Sequence, residues 1–193
     1  MGSARSDSIA EGTLDACKIV IAGGFGAGKT TLVGAISEVQ PIYTEETLTT
    51  ASVASDNLYG VEGKTKTTVA MDFGRLTLSS GLILYLFGTP GQERFWFMWE
   101  DLCRGALGAV VLADTRRLED CFPSVDYFEK GGLPFIVAIN AFNGEIEYEP
   151  EEVIAALDLD PSVPAVVCDA RNRGSVRQVL ISLLDYILAQ TPV

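Results

Sequence analysis

The chain has no histidine among its 193 residues, and its four cysteines, Cys17, Cys103, Cys121 and Cys168, include no C-x-x-C pair. These absences exclude Ser-His-Asp triads and Cys-His dyads, and they argue against the usual zinc sites. We expect the cysteines to be free thiols in a reducing cytoplasm.

Long hydrophobic runs and positive charge are also scarce. The apolar runs at 82–87 and 107–113 are far shorter than the ~18 residues that a membrane helix needs. Lys and Arg number 14 against 26 Asp and Glu, and the net charge of −12 argues against nucleic acid as a partner. The 48% hydrophobic content is typical of a globular protein. We expect a cytoplasmic protein, with recruitment to a membrane by partners as an open alternative.

Hydrophobic patterning divides the chain into a tail and one domain. Residues 1–16 are small and polar without periodicity, which predicts a flexible tail, and residues 17–193 form the domain. Within it, apolar strands alternate with helices. The predicted strands are 17–22, 107–114, 134–140 and 165–168, and the predicted helices are 29–37, 118–130, 150–157 and 174–189. The last helix has one apolar face, made of Val176, Val179, Leu180, Leu183, Leu184 and Ile187.

This alternation predicts an α/β fold with a doubly wound parallel sheet and helices on both faces. Two further strand-like runs, 68–78 and 82–87, are joined by Ser79-Ser80-Gly81 and predict a hairpin. The hairpin gives a six-stranded mixed sheet with one antiparallel edge strand. Residues 39–67 are polar and lack periodicity, which is typical of a long functional loop.

A phosphate-binding loop is the clearest motif. Residues 23–30 read G-G-F-G-A-G-K-T, match G-x-x-x-x-G-K-[ST], and lie between a predicted strand and a predicted helix. Such a loop aims backbone N–H groups at a phosphate, its lysine reaches the β- and γ-phosphates, and its threonine hydroxyl coordinates Mg²⁺. We therefore predict nucleoside phosphate binding by Gly23, Gly24, Phe25, Gly26, Ala27, Gly28, Lys29, Thr30 and Thr31.

A second motif, residues 88–94, reads G-T-P-G-Q-E-R and follows the hairpin. It resembles the D-x-x-G-Q-E motif of the Ras-like small GTPases. Together with TTVAMDFG (67–74), LFGTPGQERF (86–95) and NAFNG (140–144), it is similar to the GTPases of the actinobacterial conservons and, more distantly, to the gliding-motility GTPases. The resemblance covers about residues 17–190. It implies a P-loop NTPase fold of the Ras-like G-domain type, with GTP/GDP and Mg²⁺ as ligands.

The resemblance also implies roles for single residues. Gly91 would contact the γ-phosphate, Gln92 would orient the attacking water, and Lys29 would assist catalysis. Thr68, with Thr67 as its rival, would hold Mg²⁺ together with Thr30. The first switch would be 39–68 and the second 88–104.

Base recognition is implied at two places. Asn140 and Asn143 occupy the first and last positions of the N-K-x-D motif, and Asn143 replaces the carboxylate that accepts two guanine hydrogen bonds. Ala170 matches the residue whose backbone N–H reads guanine O6. Glu145 or Asp169 is a candidate for the missing carboxylate.

The sequence departs from the Ras-like pattern in two further ways, which concern the metal site and the catalytic arginine. Gly88 stands where the family norm is an aspartate that holds a Mg²⁺-bound water, so metal binding is expected to weaken. The segment 39–68 contains no arginine. Arg94 is therefore the nearest candidate for a catalytic arginine, and a salt bridge is its alternative.

These motifs predict a small GTP-binding protein that acts as a switch with slow, partner-dependent hydrolysis. The resemblance implies a roadblock-type partner and a sensor-kinase-like protein in the same pathway. The aromatic residues Phe95, Trp96, Phe97 and Trp99 predict either a partner surface or the core face of a short helix. The alternatives are a nucleotide-binding module with little hydrolysis or altered base preference, and a P-loop ATPase or kinase.

Overall fold

The computed structural model describes residues 16–40, 45–47, 66–68, 72–78, 81–91, 93–144 and 147–190, with the backbone alone at 45–47, 66–68, 93–95 and 143. The strands of this part of the chain are β1 (Ala16–Ala22), β2 (Glu45–Thr47), β3 (Lys66–Thr68), β4 (Asp72–Thr77), β5 (Ile83–Gly88), β6 (Gly108–Ala113), β7 (Phe135–Asn140) and β8 (Ala165–Cys168). Its α-helices are α1 (Lys29–Ile36), α2 (Trp99–Cys103), α3 (Phe122–Gly131), α4 (Pro150–Ala156) and α5 (Arg173–Gln190). Short 3-10 segments occur at Glu93–Met98, Thr115–Cys121 and Phe142–Gly144.

Six strands form one mixed sheet in the order β4-β5-β1-β6-β7-β8. All neighbouring pairs are parallel except β4 and β5, which are antiparallel at one edge. This arrangement confirms the predicted fold class. Over the described residues, no helix combines the length and the apolar character that crossing a bilayer requires.

The sheet is buried on both faces, which explains why its central strands are apolar without alternation. In β1, Ile19 and Ile21 pack into the core beneath α1 and α5, and Val20 and Ala22 pack into the core beneath α2, α3 and α4. The predicted apolar face of the last helix is confirmed, since its residues are buried in α5 or packed against the same core. The two cores pack against both faces of β1 in the middle of the sheet.

The predicted hairpin is present as β4 and β5. Asp72 pairs with Gly88 and Thr77 with Ile83, and Gly81 adopts a positive φ of 85° in the connection. Of the first predicted arm, 68–78, residues 69–71 lie outside the described part of the chain, and Thr68 belongs to β3, which pairs with 45–47 as a separate two-stranded sheet. Three-residue polar strands carry too little periodicity to be recognised in a sequence.

Proline, glycine and a capping hydrogen bond mark the ends of α3 and the start of α4. The predicted helix 118–130 consists of a 3-10 segment followed by α3, which has Pro123 in its first turn and ends at Gly132 with a positive φ of 63°. At the start of α4, the Glu149 N–H donates to the Glu152 carboxylate at 2.9 Å. These elements cover the second face of the sheet.

Candidate functional site

The turn between β1 and α1 requires its glycines. Gly23, Gly26 and Gly28 have φ angles of 135°, 80° and 107°, which side chains of L-residues rarely adopt. A Cβ on Gly23 would also collide with the carbonyl oxygen of Leu112 in β6. The turn therefore passes closely over the carboxyl edge of the parallel strands, which is where doubly wound folds bind ligands.

The Lys29 ammonium lies inside this loop. The Lys29 side chain is buried, and its Nζ donates hydrogen bonds to the carbonyl oxygens of Gly23 at 2.8 Å and Gly24 at 2.6 Å. A phosphate oxygen is a stronger partner for an ammonium group than a neutral carbonyl, because both partners are then charged. The loop therefore holds a cation at the N-terminal end of α1, where an anion is favoured.

A carboxylate lies beside the helix start. The Thr30 hydroxyl donates a hydrogen bond of 2.8 Å to Oδ2 of Asp72, the first residue of β4. Asp72 is buried and lines the same cavity as Lys29 and Thr30. Asp72 was not among the site residues predicted from the sequence. The signal that could have found it is the stretch 68–73, in which Asp72 follows Thr68 in the pattern T-x-x-x-D-F.

Because Gly88 has no side chain, it leaves room for the carboxylate of Asp72. The two residues lie opposite each other in the antiparallel β4–β5 pair. A Cβ on Gly88 would lie 2.8 Å from Oδ2 and 2.9 Å from Cβ of Asp72. The two side chains would therefore compete for one space. Asp72 therefore brings a carboxylate from β4 into the space beside Gly88.

The segment after Gly88 forms the opposite wall of this cavity, which has a volume of about 140 Å³. A Cβ on Gly91 would lie 2.8 Å from Nζ of Lys29 and 2.9 Å from the backbone of Phe25. Among the described residues, the buried Thr89 hydroxyl has no hydrogen-bond partner. A buried hydroxyl of this kind is normally satisfied by a ligand or a water molecule.

Asn140, at the end of β7, joins two loops of the site. Its Nδ2 donates to the carbonyl oxygen of Ala27 at 2.9 Å, and its Oδ1 accepts from the backbone N–H of Ala170 at 3.1 Å. All three residues are buried. Asn140 therefore positions the phosphate-binding loop against the loop after β8. The N–H that resemblance assigns to guanine O6 is bonded to Asn140 in this structure.

Asp169 has a local partner as well. Its Oδ1 accepts from the backbone N–H and from Nε of Arg171, both at 2.9 Å. These hydrogen bonds hold the pKa of Asp169 below its ordinary value. The carboxylate is thus ionised and engaged within its own turn, and its role in base recognition stays a prediction.

An arginine–phenylalanine pair flanks the predicted base segment. The Arg116 guanidinium lies 4.0 Å from the ring centroid of Phe142. Its Nε and Nη2 donate to the carboxylate of Asp114 at 2.8 and 2.7 Å, and these bonds raise the pKa of Arg116. The carboxylate fixes the guanidinium plane on the ring, and sequence reasoning missed this pair.

A second missed pair lies behind the loop. The buried Arg117 forms an ion pair with the partly buried Asp120. A Cβ on Gly24 would overlap the Cβ of Asp120, so this loop residue packs directly on the pair. Burial raises the pKa of Asp120, and Arg117 opposes that shift.

Several predicted residues have no described side chain. Gln92 and Glu145 lie outside the described residues. Thr68 in β3, Arg94 in the 3-10 segment before α2, and Asn143 after β7 are described by their backbone alone. The roles that resemblance assigns to them stay predictions. Thr31 lines the cavity from the first turn of α1.

The aromatic residues of the second predicted switch divide into two groups. Trp99 is 3% exposed and stacks on Phe128 of α3 at a centroid distance of 6.0 Å. Phe97 is 77% exposed, and Trp96 is partly exposed. Phe95 is described by its backbone alone. Trp99 thus fits the interpretation as core, whereas Phe97 is accessible to a partner.

Together the fold and the loop define a P-loop protein with a GTPase-like α/β domain. The G-domain of FeoB from Methanococcus jannaschii has a similar fold, with a TM-score of 0.59 over 90% of this chain and 99% of that chain. The two sequences are 16% identical, so the likeness concerns the fold alone.

Sequence comparison shows the family. The model of a family described as conserved hypothetical ATP-binding proteins matches residues 21–190, and the chain belongs to that family. The chain is also 33% identical, over 131 residues, to the uncharacterized protein MJ1339 of Methanocaldococcus jannaschii, which covers 65% of this chain and 70% of the relative. The finer resemblance to conservon and gliding-motility GTPases stays a prediction.

Proposed function

We propose that the protein binds a nucleoside triphosphate at residues 23–30 and acts as a small GTP-binding switch with slow, partner-dependent hydrolysis. The observation that carries this proposal is the meeting of Lys29, Thr30 and Asp72 at one cavity under the loop. A triphosphate with its Mg²⁺ presents the matching charges, since the anion suits the ammonium group and the cation suits the oxygen ligands. The family description as ATP-binding proteins supports nucleotide binding in general.

Lys29 performs the first step of binding. Its two hydrogen bonds to Gly23 and Gly24 are exchanged for bonds to phosphate oxygens, and the freed loop then turns its N–H groups toward the ligand. Each charged hydrogen bond of this kind contributes about 1.5–3 kcal/mol. We therefore assign most of the phosphate affinity to this residue and to the loop N–H groups.

The residues present fit Mg²⁺. Among the described residues no cluster of three or more acidic or thiol side chains could hold a metal by itself. Mg²⁺ bound with a nucleotide needs only one or two protein oxygens beside the phosphates. The Thr30 hydroxyl donates a hydrogen bond to Asp72, so the lone pairs of the hydroxyl oxygen remain for the ion. When bound, Mg²⁺ neutralises phosphate charge.

We propose that Gly91 senses the terminal phosphate. It lies against Lys29 and Phe25 at the cavity wall, and the 3-10 segment Glu93–Met98 and α2 follow within a few residues. A ligand that draws the Lys29 ammonium away from its present position changes the contact with Gly91. In the proposed switch, this change is passed on to the segment that carries the exposed Phe97.

Guanine is the proposed base, on the strength of the resemblance in residues 86–95 and 140–144. A second candidate function is ATP binding and hydrolysis, which the family description favours. The bond between Ala170 and Asn140 also favours it, because the N–H expected to read guanine O6 is occupied in this structure. Asn143 would pair better with xanthine than with guanine, since xanthine has an oxygen at C2.

Calorimetric titration with GTP, GDP, ATP and XTP tests the binding proposal, in Mg²⁺ and in EDTA. We expect GTP to bind most tightly in Mg²⁺ and Lys29→Ala to weaken its affinity by about 10- to 100-fold. Lys130→Ala is the matched control, because Lys130 is exposed and pairs with Asp126 on α3. Preference for ATP would select the second candidate, and failure to bind any of the four would overturn the proposal.

Single-turnover hydrolysis of γ-labelled GTP tests the enzymatic part separately. We expect slow cleavage that Gln92→Leu abolishes and that a roadblock-type partner accelerates. A rate that Arg94→Ala leaves unchanged would assign the catalytic charge to the partner. Tight binding without cleavage would identify a nucleotide-binding module instead of an enzyme.

A further inference from the structure

An apolar groove lies far along the chain from the phosphate-binding loop. Its cavity of about 460 Å³ is bounded by α4 and by the beginning of the edge strand β8. The buried side chains Ile154 and Leu159 form its floor, and Val163, Ala165, Pro150 and Pro161 also line it. An apolar depression of this size is large enough to accept anchoring side chains of a partner.

Hydrogen bonds support both sides of the groove. The bond between Glu149 and Glu152 closes the start of α4, and the backbone of β8 is paired with β7. Asp158, which follows α4, has a φ of 55° and is the non-glycine residue with a positive φ among those described. The chain therefore turns sharply at the groove, between the two elements that form it.

The stretch of chain that forms the groove carries charge of one sign. Residues 131–170 contain eight Asp and Glu and no Lys or Arg. Two of these acidic residues, Glu151 and Asp158, are exposed and line the groove itself. An apolar floor with a uniformly acidic rim selects an occupant that has apolar side chains flanked by basic ones.

Other occupants fit less well. A nucleic acid or an anionic membrane would be repelled by the same rim. A second copy of this chain that used the same face would bring two acidic rims together, as twofold symmetry requires. A basic amphipathic segment of another protein satisfies both the floor and the rim.

We propose that this groove docks a basic amphipathic segment of a partner protein. Its apolar side chains enter the cavity over Ile154 and Leu159, and its Lys or Arg side chains pair with Glu151 and Asp158. The groove is built from α4, the loop that follows it and the start of β8, and none of its lining residues lines the cavity under the phosphate-binding loop. Docking therefore depends neither on Lys29 nor on a nucleotide.

Fluorescence anisotropy with a labelled amphipathic helical peptide of leucine and lysine tests the proposal in the full chain. Glu151→Gln/Asp158→Asn removes two charges with little change in shape. Glu129→Gln/Asp185→Asn is the matched control, because it removes two exposed charges on α3 and α5. We expect the groove variant to weaken binding by about 5-fold or more and the control by less than about 2-fold.

Ala155→Arg tests the cavity, since Ala155 is exposed at its lining and the arginine both fills the space and reverses the charge. We expect loss of peptide binding with an unchanged circular dichroism spectrum and melting temperature. Equal weakening by both charge variants, or full binding to Ala155→Arg, would overturn the proposal. Concentration-dependent dimerisation that Ala155→Arg abolishes would assign the groove to a second copy and overturn it as well. Lys29→Ala should bind the peptide normally, so this test is independent of the proposed nucleotide function.

Discussion

Asp72 and Gly88 are complementary in size because they face each other across the β4–β5 pair. The glycine leaves room for the carboxylate, and the carboxylate accepts a hydrogen bond from the Thr30 hydroxyl. Gly88 alone predicts weak metal binding, and we propose that Asp72, sixteen positions earlier in the chain, offsets it. On this interpretation β4 supplies the acidic group in place of β5.

Moving the carboxylate between strands tests this interpretation. We expect Asp72→Ala to weaken Mg²⁺-dependent nucleotide binding by about 10- to 100-fold, since it removes the group that orients Thr30. Gly88→Asp alone should lower stability, because two carboxylates would compete for one space. The double variant Asp72→Ala/Gly88→Asp should recover Mg²⁺ dependence, measured by titration of the nucleotide at several Mg²⁺ concentrations.

The exposed Asp126→Ala on α3 is the control for loss of one negative charge. An unchanged Mg²⁺ requirement in Asp72→Ala would contradict the assignment. Recovery in the double variant would show that either β4 or β5 can supply the carboxylate.

The sequence predicted individual residues well where one motif determines them. Lys29 and Thr30 lie in the loop and the helix start that their eight-residue pattern indicates. Asp72 was missed because its role depends on the register between two strands, which no local pattern records. Asn140 was predicted as a base contact, and in the structure its carboxamide bridges two loops.

At the scale of elements, the segment after Gly91 combines an exposed and an anchored part. Trp99 begins α2 and packs among Tyr127 and Phe128 of α3, with ring centroids 5.2 and 6.0 Å away. Phe97 lies two residues earlier and is largely exposed. The anchored residue fixes one end of the segment, and the other end lies at the cavity wall.

Truncation of the two aromatic residues should separate these roles. We expect Trp99→Ala to lower the free energy of unfolding by about 3–5 kcal/mol, because it leaves a cavity between α2 and α3. Phe97→Ala should change it by less than about 0.5 kcal/mol, since an exposed side chain loses few contacts. Urea unfolding followed by circular dichroism measures both. Equal destabilisation by the two variants would contradict the division.

The sequence predicted the apolar strands much better than the polar ones. The apolar strands β1, β6, β7 and β8 were predicted within about a residue, because burial on both faces produces uninterrupted apolar runs. The pairing of 45–47 with 66–68 was not predicted, because its residues are polar and its hydrogen bonds join distant segments. Long-range backbone pairing between polar residues leaves no compositional signal.

For the whole molecule, the net charge of −12 is the dominant electrostatic property. Self-repulsion of such a charge destabilises the compact state and is screened by salt. We expect the melting temperature to rise by about 2–4 °C between low and high NaCl concentration, which corresponds to about 1 kcal/mol.

The variant Glu129→Lys/Asp185→Lys, which lowers the net negative charge by four, should show a smaller rise. Differential scanning calorimetry gives both values. A melting temperature that falls as NaCl is added would show that attractive ion pairs outweigh the repulsion.

The sequence by itself determined the alternation of strands and helices and the phosphate-binding loop, because hydrophobic burial and backbone conformation impose local and recognisable patterns. Only the tertiary structure decided which carboxylate meets Thr30, which tryptophan enters the core and where the acidic segment encloses an apolar groove. These features depend on the strand register and on the packing of elements that are distant in the chain. The sheet brings residues that are far apart in the chain into contact, and no local sequence pattern indicates these contacts.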